Sequence, residues 1–161
     1  MEYKTNVMRI LDKMKVEYKS YSYVNTDAIS GIDVANILNQ NANQVFKTLV
    51  TIGKSKKYYV FLVPVAEELD LKKAANSINE KSIEMLKSKD LLDITGYIHG
   101  GCSPIGMKKS FTTTIDESAT KFETIIFSAG KIGYQVEVSV EQLKKVIRFS
   151  LADIVYENKL D

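Results

Sequence analysis

The sequence predicts an α+β fold formed by one domain over residues 1–161. Three observations carry this: helical apolar spacing near both ends, several β-rich runs between them, and no strict strand–helix alternation. A doubly wound sheet would need that alternation. The length suits one well-buried core. A chain that is 45% hydrophobic and 26% charged has the profile of a globular protein rather than a disordered one.

Each element has a local reason. Val7, Ile10, Leu11 and Met14 recur at helical spacing, predicting an amphipathic helix over residues 5–14. Residues 18–23 alternate polar and aromatic side chains and read as a strand. Ser30 followed by Asp33 resembles a helix-start cap, and Val34, Ile37 and Leu38 give that helix an apolar face ending near Asn39. Residues 45–52 and 58–65 are β-rich runs separated by a basic Gly53-Lys54-Ser55-Lys56-Lys57 loop, which predicts a hairpin; Pro64 marks its limit. Residues 69–77 and 88–92 read as helices. Residues 97–99, 111–115, 124–128 and 134–138 read as strands. A last amphipathic helix over 140–148 carries Leu143, Val146 and Ile147.

Composition narrows the function classes. A net charge of +2, with lysines spread throughout, argues against a strongly basic nucleic-acid coat but leaves room for a local patch. A single cysteine excludes an internal disulfide framework and suits a reducing compartment. One histidine and one cysteine cannot make a standard zinc set. No apolar run reaches membrane-spanning length, and the first residues lack a signal-peptide stretch. The expectation is a cytoplasmic protein with no metal and no cofactor.

Gly100-Gly101-Cys102-Ser103-Pro104 reads as a backbone-built anion site. Adjacent glycines let the main chain approach a ligand, while Pro104 stiffens the exit. Paired amides of this kind suit an ester-cleaving site, where charge develops on a carbonyl oxygen. A plain glycine turn has the same local signature. Lys47 lies inside a run apolar on both strand faces, so it either snorkels to a sheet edge or points into a polar cavity to grip an anionic or hydroxyl oxygen. Cys102 as a nucleophile would need His99 as its base, and no carboxylate is marked out to orient that histidine; a packed cysteine is the simpler reading. Ser128-Ala129-Gly130-Lys131-Ile132-Gly133 lacks a phosphate-loop pattern but offers a hydroxyl and tight turns. Lys108-Lys109 adds local positive charge, and Asp116-Glu117-Ser118 closes a strand as a turn.

Taken in order, these segments resemble the YbaK/EbsC family of aminoacyl-tRNA deacylases, free-standing relatives of the editing domain of prolyl-tRNA synthetases. The matching pieces are Lys4-Thr5-Asn6, Val45-Phe46-Lys47-Thr48-Leu49, Val63-Pro64-Val65 with Glu68-Leu69-Asp70-Leu71-Lys72-Lys73, and Thr95-Gly96-Tyr97. They continue through Gly100 to Gly106, Ile115-Asp116-Glu117-Ser118 and Ser128-Ala129-Gly130-Lys131, to Ala152-Asp153-Ile154. The resemblance implies a mixed, partly rolled β-sheet with helices around it and a cleft for the charged 3′ end of tRNA. It implies deacylation of mischarged tRNA, most typically Cys-tRNA(Pro), with Cys-tRNA(Cys) as a further substrate. Lys47 would be the key cleft lysine, Gly100 and Gly101 would line the site, and Tyr23, Thr48 and Ser128 would shape the pocket. Where well-known members carry an aspartate, this chain has Gln135, which hydrogen-bonds but cannot act as a base. Ile132 likewise replaces a commonly basic residue.

No metal set, supported triad or clear carboxylate pair is marked out to activate a water, a requirement that substrate-assisted chemistry removes. The resemblance implies that the thiol of the bound cysteine attacks its own ester carbonyl, forming a cyclic thioester, while the protein orients the substrate and stabilises the oxyanion. Two alternatives stay open: a deacylase for another small residue such as alanine on tRNA(Pro), and a non-catalytic module that binds an acceptor end or nucleotide. Modest net charge suggests weak, salt-sensitive tRNA binding, and the resemblance implies the prolyl synthetase as a partner that supplies selection.

Overall fold

A computed structural model describes residues 3–157. The chain forms two β-sheets that share a core. The smaller is a three-stranded antiparallel sheet in the order β1 (Tyr18–Ser22), β7 (Tyr134–Ser139), β6 (Thr124–Ser128). The larger is mixed and five-stranded, in the order β4 (Ile83–Met85), β2 (Phe46–Gly53), β3 (Tyr58–Pro64), β5 (Thr112–Asp116), β8 (Ser150–Ala152). β3, β5 and β8 run parallel to one another, while β2 pairs antiparallel with both β3 and β4. The predicted α+β class with a mixed sheet is therefore observed.

Alternation along the strands sorts the core. Phe46, Val50, Val60, Leu62 and Ile115 of the larger sheet face Ile125, Phe127, Val136 and Val138 of the smaller. α1 (Asn6–Lys13) adds Val7, Met8 and Leu11 to that layer. The other face of β3 presents Tyr59, Phe61 and Val63 to Leu69 and to Ala74 and Ala75 of α3 (Leu71–Ser77). β3 is thus covered on both sides, which is why its sequence is nearly continuous in apolar residues.

Helix starts follow their caps. Thr5 accepts the Met8 amide at 3.2 Å, and Asp70 accepts the Lys72 and Lys73 amides. Ser30 and Asp33 complete a reciprocal capping box at the head of α2 (Gly31–Ile37), as their spacing predicts.

Three expectations need correction. Residues 97–99 form no strand: α4 (Ser88–Thr95) ends at Gly96, Tyr97 donates its amide to the Thr95 hydroxyl, and its phenol turns inward to the Ile105 carbonyl. Of the three only Tyr97 packs against the core, while Ile98 and His99 are exposed. The final helix is one turn, α5 (Val140–Leu143); Val146, Ile147 and Phe149 still reach the core, but from turns that lead into β8. β4 and β8, three residues each, are too short to have shown a period. The 69–77 helix starts two residues later than expected, because Leu69 bridges Val155 and Asp70 is the cap.

Asp116 does more than close a turn. It is buried, and its two oxygens accept the Ser118 and Ile154 amides at 3.2 and 3.1 Å. It thereby fastens the end of β5 to the short 3₁₀ turn Glu117–Lys121 and to the C-terminal segment. Asp116→Ala should lower stability by about 2–4 kcal/mol, because two charge-assisted bonds go and two amides lose their partner. A urea melt unchanged from wild type would show that the carboxylate is dispensable.

Candidate active site

Strand register assembles the site. One isolated parallel bridge, Val45 to Ile126, joins the two sheets. It is reinforced by the Ile126 amide on the Gln44 carbonyl and by the Gln44 side chain on Thr124. Two residues beyond the bridge, on the same face of each strand, stand Lys47 and Ser128. Ser128 is opposite Gln135, and Gln135 is opposite Tyr21. Lys47, Ser128, Gln135 and Tyr21 therefore form one row across the hinge between the sheets. No ladder pairs follow the bridge, so the two sheets part there.

Lys47 is half-buried, and its ammonium donates to Glu68 at 3.3 Å. That carboxylate is largely exposed, so the pair is worth less than about 1 kcal/mol and leaves the cation available to a ligand. Gln135 is buried and accepts from the Gln40 amide at 2.8 Å, while the Gln40 oxygen is buried with no partner. Glu137, two residues on, takes hydrogen bonds from Thr124 and Tyr21. Burial alone would raise its pKa, but these donors outweigh burial and hold it below the usual carboxylate range. The Tyr21 phenol is in turn pushed up to about 12, chiefly by that bond. A fixed carboxylate thus secures the floor beside Gln135.

Two expected pocket residues sit elsewhere. Thr48 is on the opposite face of β2, between the core residues Phe46 and Val50, with its hydroxyl buried and unpartnered. It pairs with Leu62 of β3, and on the other edge of β2 the β4 ladder begins only at Thr51. Tyr23 lies past the end of β1, its amide on the Gly133 carbonyl. Tyr21, which sequence reading passed over, is the tyrosine in the row. Only the pairing register distinguishes the two, since both alternate correctly. Gln40 was missed too, because it precedes no motif and meets Gln135 only through the fold.

The glycine loop adjoins this row through the turn after β6. A Cβ on Gly101 would come within 3.2 Å of the Ile132 nitrogen, so only glycine lets the loop lie this close to residues 131–132. Gly100 adopts φ +89°, which a side chain would strain. The paired-amide expectation needs amendment, however: the Gly101 amide donates to the Ile98 carbonyl at 3.0 Å, closing the turn. Among the described residues, the amides of Gly100, Cys102 and Ser103 have no acceptor in the chain.

Cys102 is buried, and burial pushes its thiol up to about 12, with only a small opposing effect from Thr95. It is neutral near pH 7 and no nucleophile. His99 is exposed in the turn. No group of three or more His, Cys, Asp or Glu among the described residues could hold a metal, and no described helix is long and apolar enough to cross a membrane. Iodoacetamide at pH 8 should alkylate Cys102 in the folded protein at least about 100-fold more slowly than in urea. Comparable rates in the two states would show an open, reactive thiol.

Comparison with known proteins places this geometry. Residues 27–146 match the family model for the aminoacyl-tRNA editing domain. The chain is 45% identical over 152 residues to the Enterococcus faecalis protein named "Putative Cys-tRNA(Pro)/Cys-tRNA(Cys) deacylase EbsC", covering 94% of this chain and 93% of that one. It is 24% identical over 145 residues to the proline–tRNA ligase of Lactobacillus gasseri, of which it spans 26%. A solved structure described as "a putative trans-editing enzyme for prolyl tRNA synthetase" superposes with TM-score 0.80 at 18% identity, covering 96% of this chain and all of that one. Another, of a hypothetical protein, gives 0.85 at 14% identity over 94% of this chain. At such identities the two structures establish the shared fold.

Proposed function

The chain belongs to the aminoacyl-tRNA editing domain family, and we propose that it is a trans-editing deacylase whose main substrate is Cys-tRNA(Pro), with Cys-tRNA(Cys) as a second. The carrying observation is the row Lys47, Ser128 and Gln135 at the parting of the sheets, beside a loop with open amides. This site is equipped to hold and orient an ester, and the one thiol nearby is too basic to attack it.

In this reading the nucleophile is the substrate's own thiol. It attacks the ester carbonyl and forms a sulfur–carbon bond. The carbon–oxygen bond to the terminal ribose breaks, and the proton from sulfur ends on the released ribose hydroxyl. Water then opens the cyclic thioester, so the net reaction is ester plus water to free cysteine and tRNA. The Gly100 and Cys102 amides cradle the carbonyl oxygen as it gains charge. Gly101 contributes by close packing, its amide being committed to the turn. Lys47 exchanges Glu68 for an oxygen of the terminal ribose or ester. Ser128 and Gln135 line the pocket as hydrogen-bonding groups, while Thr48, on the core face of β2, and Tyr23, past the end of β1, lie outside the row. Gln135, neutral and held by Gln40, confines the site to substrates that bring their own nucleophile. The protein acts in the cytoplasm with the prolyl synthetase as the source of tRNA selection.

The decisive assay follows deacylation of Cys-tRNA(Pro), Cys-tRNA(Cys) and Ala-tRNA(Pro). Only the cysteinyl esters should turn over rapidly. Lys47→Ala should lower kcat/KM by about 100-fold or more without changing the melting temperature appreciably. Cys102→Ala should stay within about twofold of wild type once folded, since a buried neutral thiol contributes packing alone. Full activity in the lysine variant removes Lys47 from the chemistry. Rapid alanyl deacylation contradicts the substrate-assisted route, and tight tRNA binding without turnover of any ester would select a binding module instead.

A further inference from the structure

The glycine loop leads out of the cleft onto a second surface. Pro104 and Gly106, at its exit, help to line an open groove whose other walls come from the start of β5 and from residues 144–150. Four cations line it: Lys109, Lys144, Lys145 and Arg148. No aspartate or glutamate does, although the chain as a whole carries 22 basic and 20 acidic residues. The groove beside the other end of β5 differs: it mixes Asp116, Glu117, Asp153, Glu67 and Glu157 with Lys73 and Lys121.

The four cations are exposed. Lys144 is paired with Glu141 at 3.1 Å, while Lys109, Lys145 and Arg148 form no ion pair among the described residues. They stand on a partly buried base of Phe111, Val146, Ile147 and Phe149, which packs against the main core and fixes their backbone. Hydroxyls of Ser110, Thr112 and Ser150 lie among them. Unpaired cations interleaved with hydroxyl donors match the needs of a run of phosphates. Gly101 and Pro104 at the groove are three positions apart along the chain, a span of at most about 11 Å. A polyanion lying in the groove would therefore have its end at the cleft rim.

We propose that this groove holds the phosphate backbone of the acceptor arm of the tRNA whose 3′ ester occupies the cleft. The proposal rests on the deacylase reading for its choice of RNA. It adds a docking face built from Lys109, Lys145 and Arg148, which no catalytic step uses. Its attraction is electrostatic and steeply salt-dependent, consistent with a protein of low net charge that concentrates its positive charge where the ligand lies.

The test uses the full chain and the triple variant Lys109→Glu, Lys145→Glu, Arg148→Glu, with thermal melting as the folding control. Deacylation of full-length Cys-tRNA(Pro) is compared with that of the cysteinyl ester of adenosine, and an uncharged acceptor-stem hairpin is titrated by fluorescence anisotropy. Near 50 mM salt the variant should lose about tenfold or more in kcat/KM on the tRNA, mainly through KM, while staying within about twofold on the adenosine ester. The slope of log affinity for the hairpin against log salt should flatten by about two to three. Equal hairpin affinity and slope in variant and wild type would overturn the groove, as would an equal loss on both esters. If wild type hydrolyses neither ester, the deacylase reading fails on its own. Hairpin binding then still decides the groove: lost affinity upholds it, and unchanged affinity overturns it.

Discussion

A single bridge between Val45 and Ile126 sets the arrangement on which the rest depends. Each sheet is internally complete, and neither alone brings a lysine to a serine and a glutamine. The bridge fixes the phase between them, so that Lys47 follows Val45 on the face that carries Ser128 after Ile126. The Gln44 amide, spanning to both the carbonyl and the hydroxyl of Thr124, guards against slippage. A shift of one residue would turn the lysine into the core and Phe46 out to the cleft. Since Phe46 is fully surrounded by apolar neighbours, hydrophobic burial enforces the register that the site requires.

Beneath the row, polar groups are held in a stepped arrangement rather than offered freely. Thr124 and Tyr21 saturate Glu137, and Gln40 orients Gln135. This division gives the floor one fixed negative charge and one neutral amide at neighbouring positions of the same strand face. The carboxylate is spent on structure, and the amide is held by Gln40 alone among these partners. The glycine loop shows the same economy: one amide closes the turn, and its neighbours remain open.

What could be read from the sequence was local, and what could not depended on pairing across the chain. The Ser30–Asp33 box and the hairpin of β2 and β3 lie within a few positions of their own signals. Lys47 stood out because a charged residue inside an apolar strand has few explanations. Tyr21 joins the row by its pairing with Gln135, a register that the sequence does not print, whereas Tyr23 was named from the resemblance alone. Residues 97–99 looked like a strand because β-branched and aromatic residues also suit a loop that buries Tyr97 against Gly106 and Gly130. The committed Gly101 amide was invisible, since composition announces flexibility and says nothing of which N–H a turn consumes.

The joint between the sheets also has a consequence for how the chain acquires its cleft. Gln44 and Thr124 are 80 positions apart, and the strand carrying Gln135 comes later still. On the ribosome, the segment bearing Lys47 emerges and pairs with β3 long before its partners in the row exist. The lysine then sits on an unfinished sheet edge until β6 and β7 arrive. The row is thus completed in one late step, and a chain cut short before β6 carries Lys47 without Ser128 and Gln135.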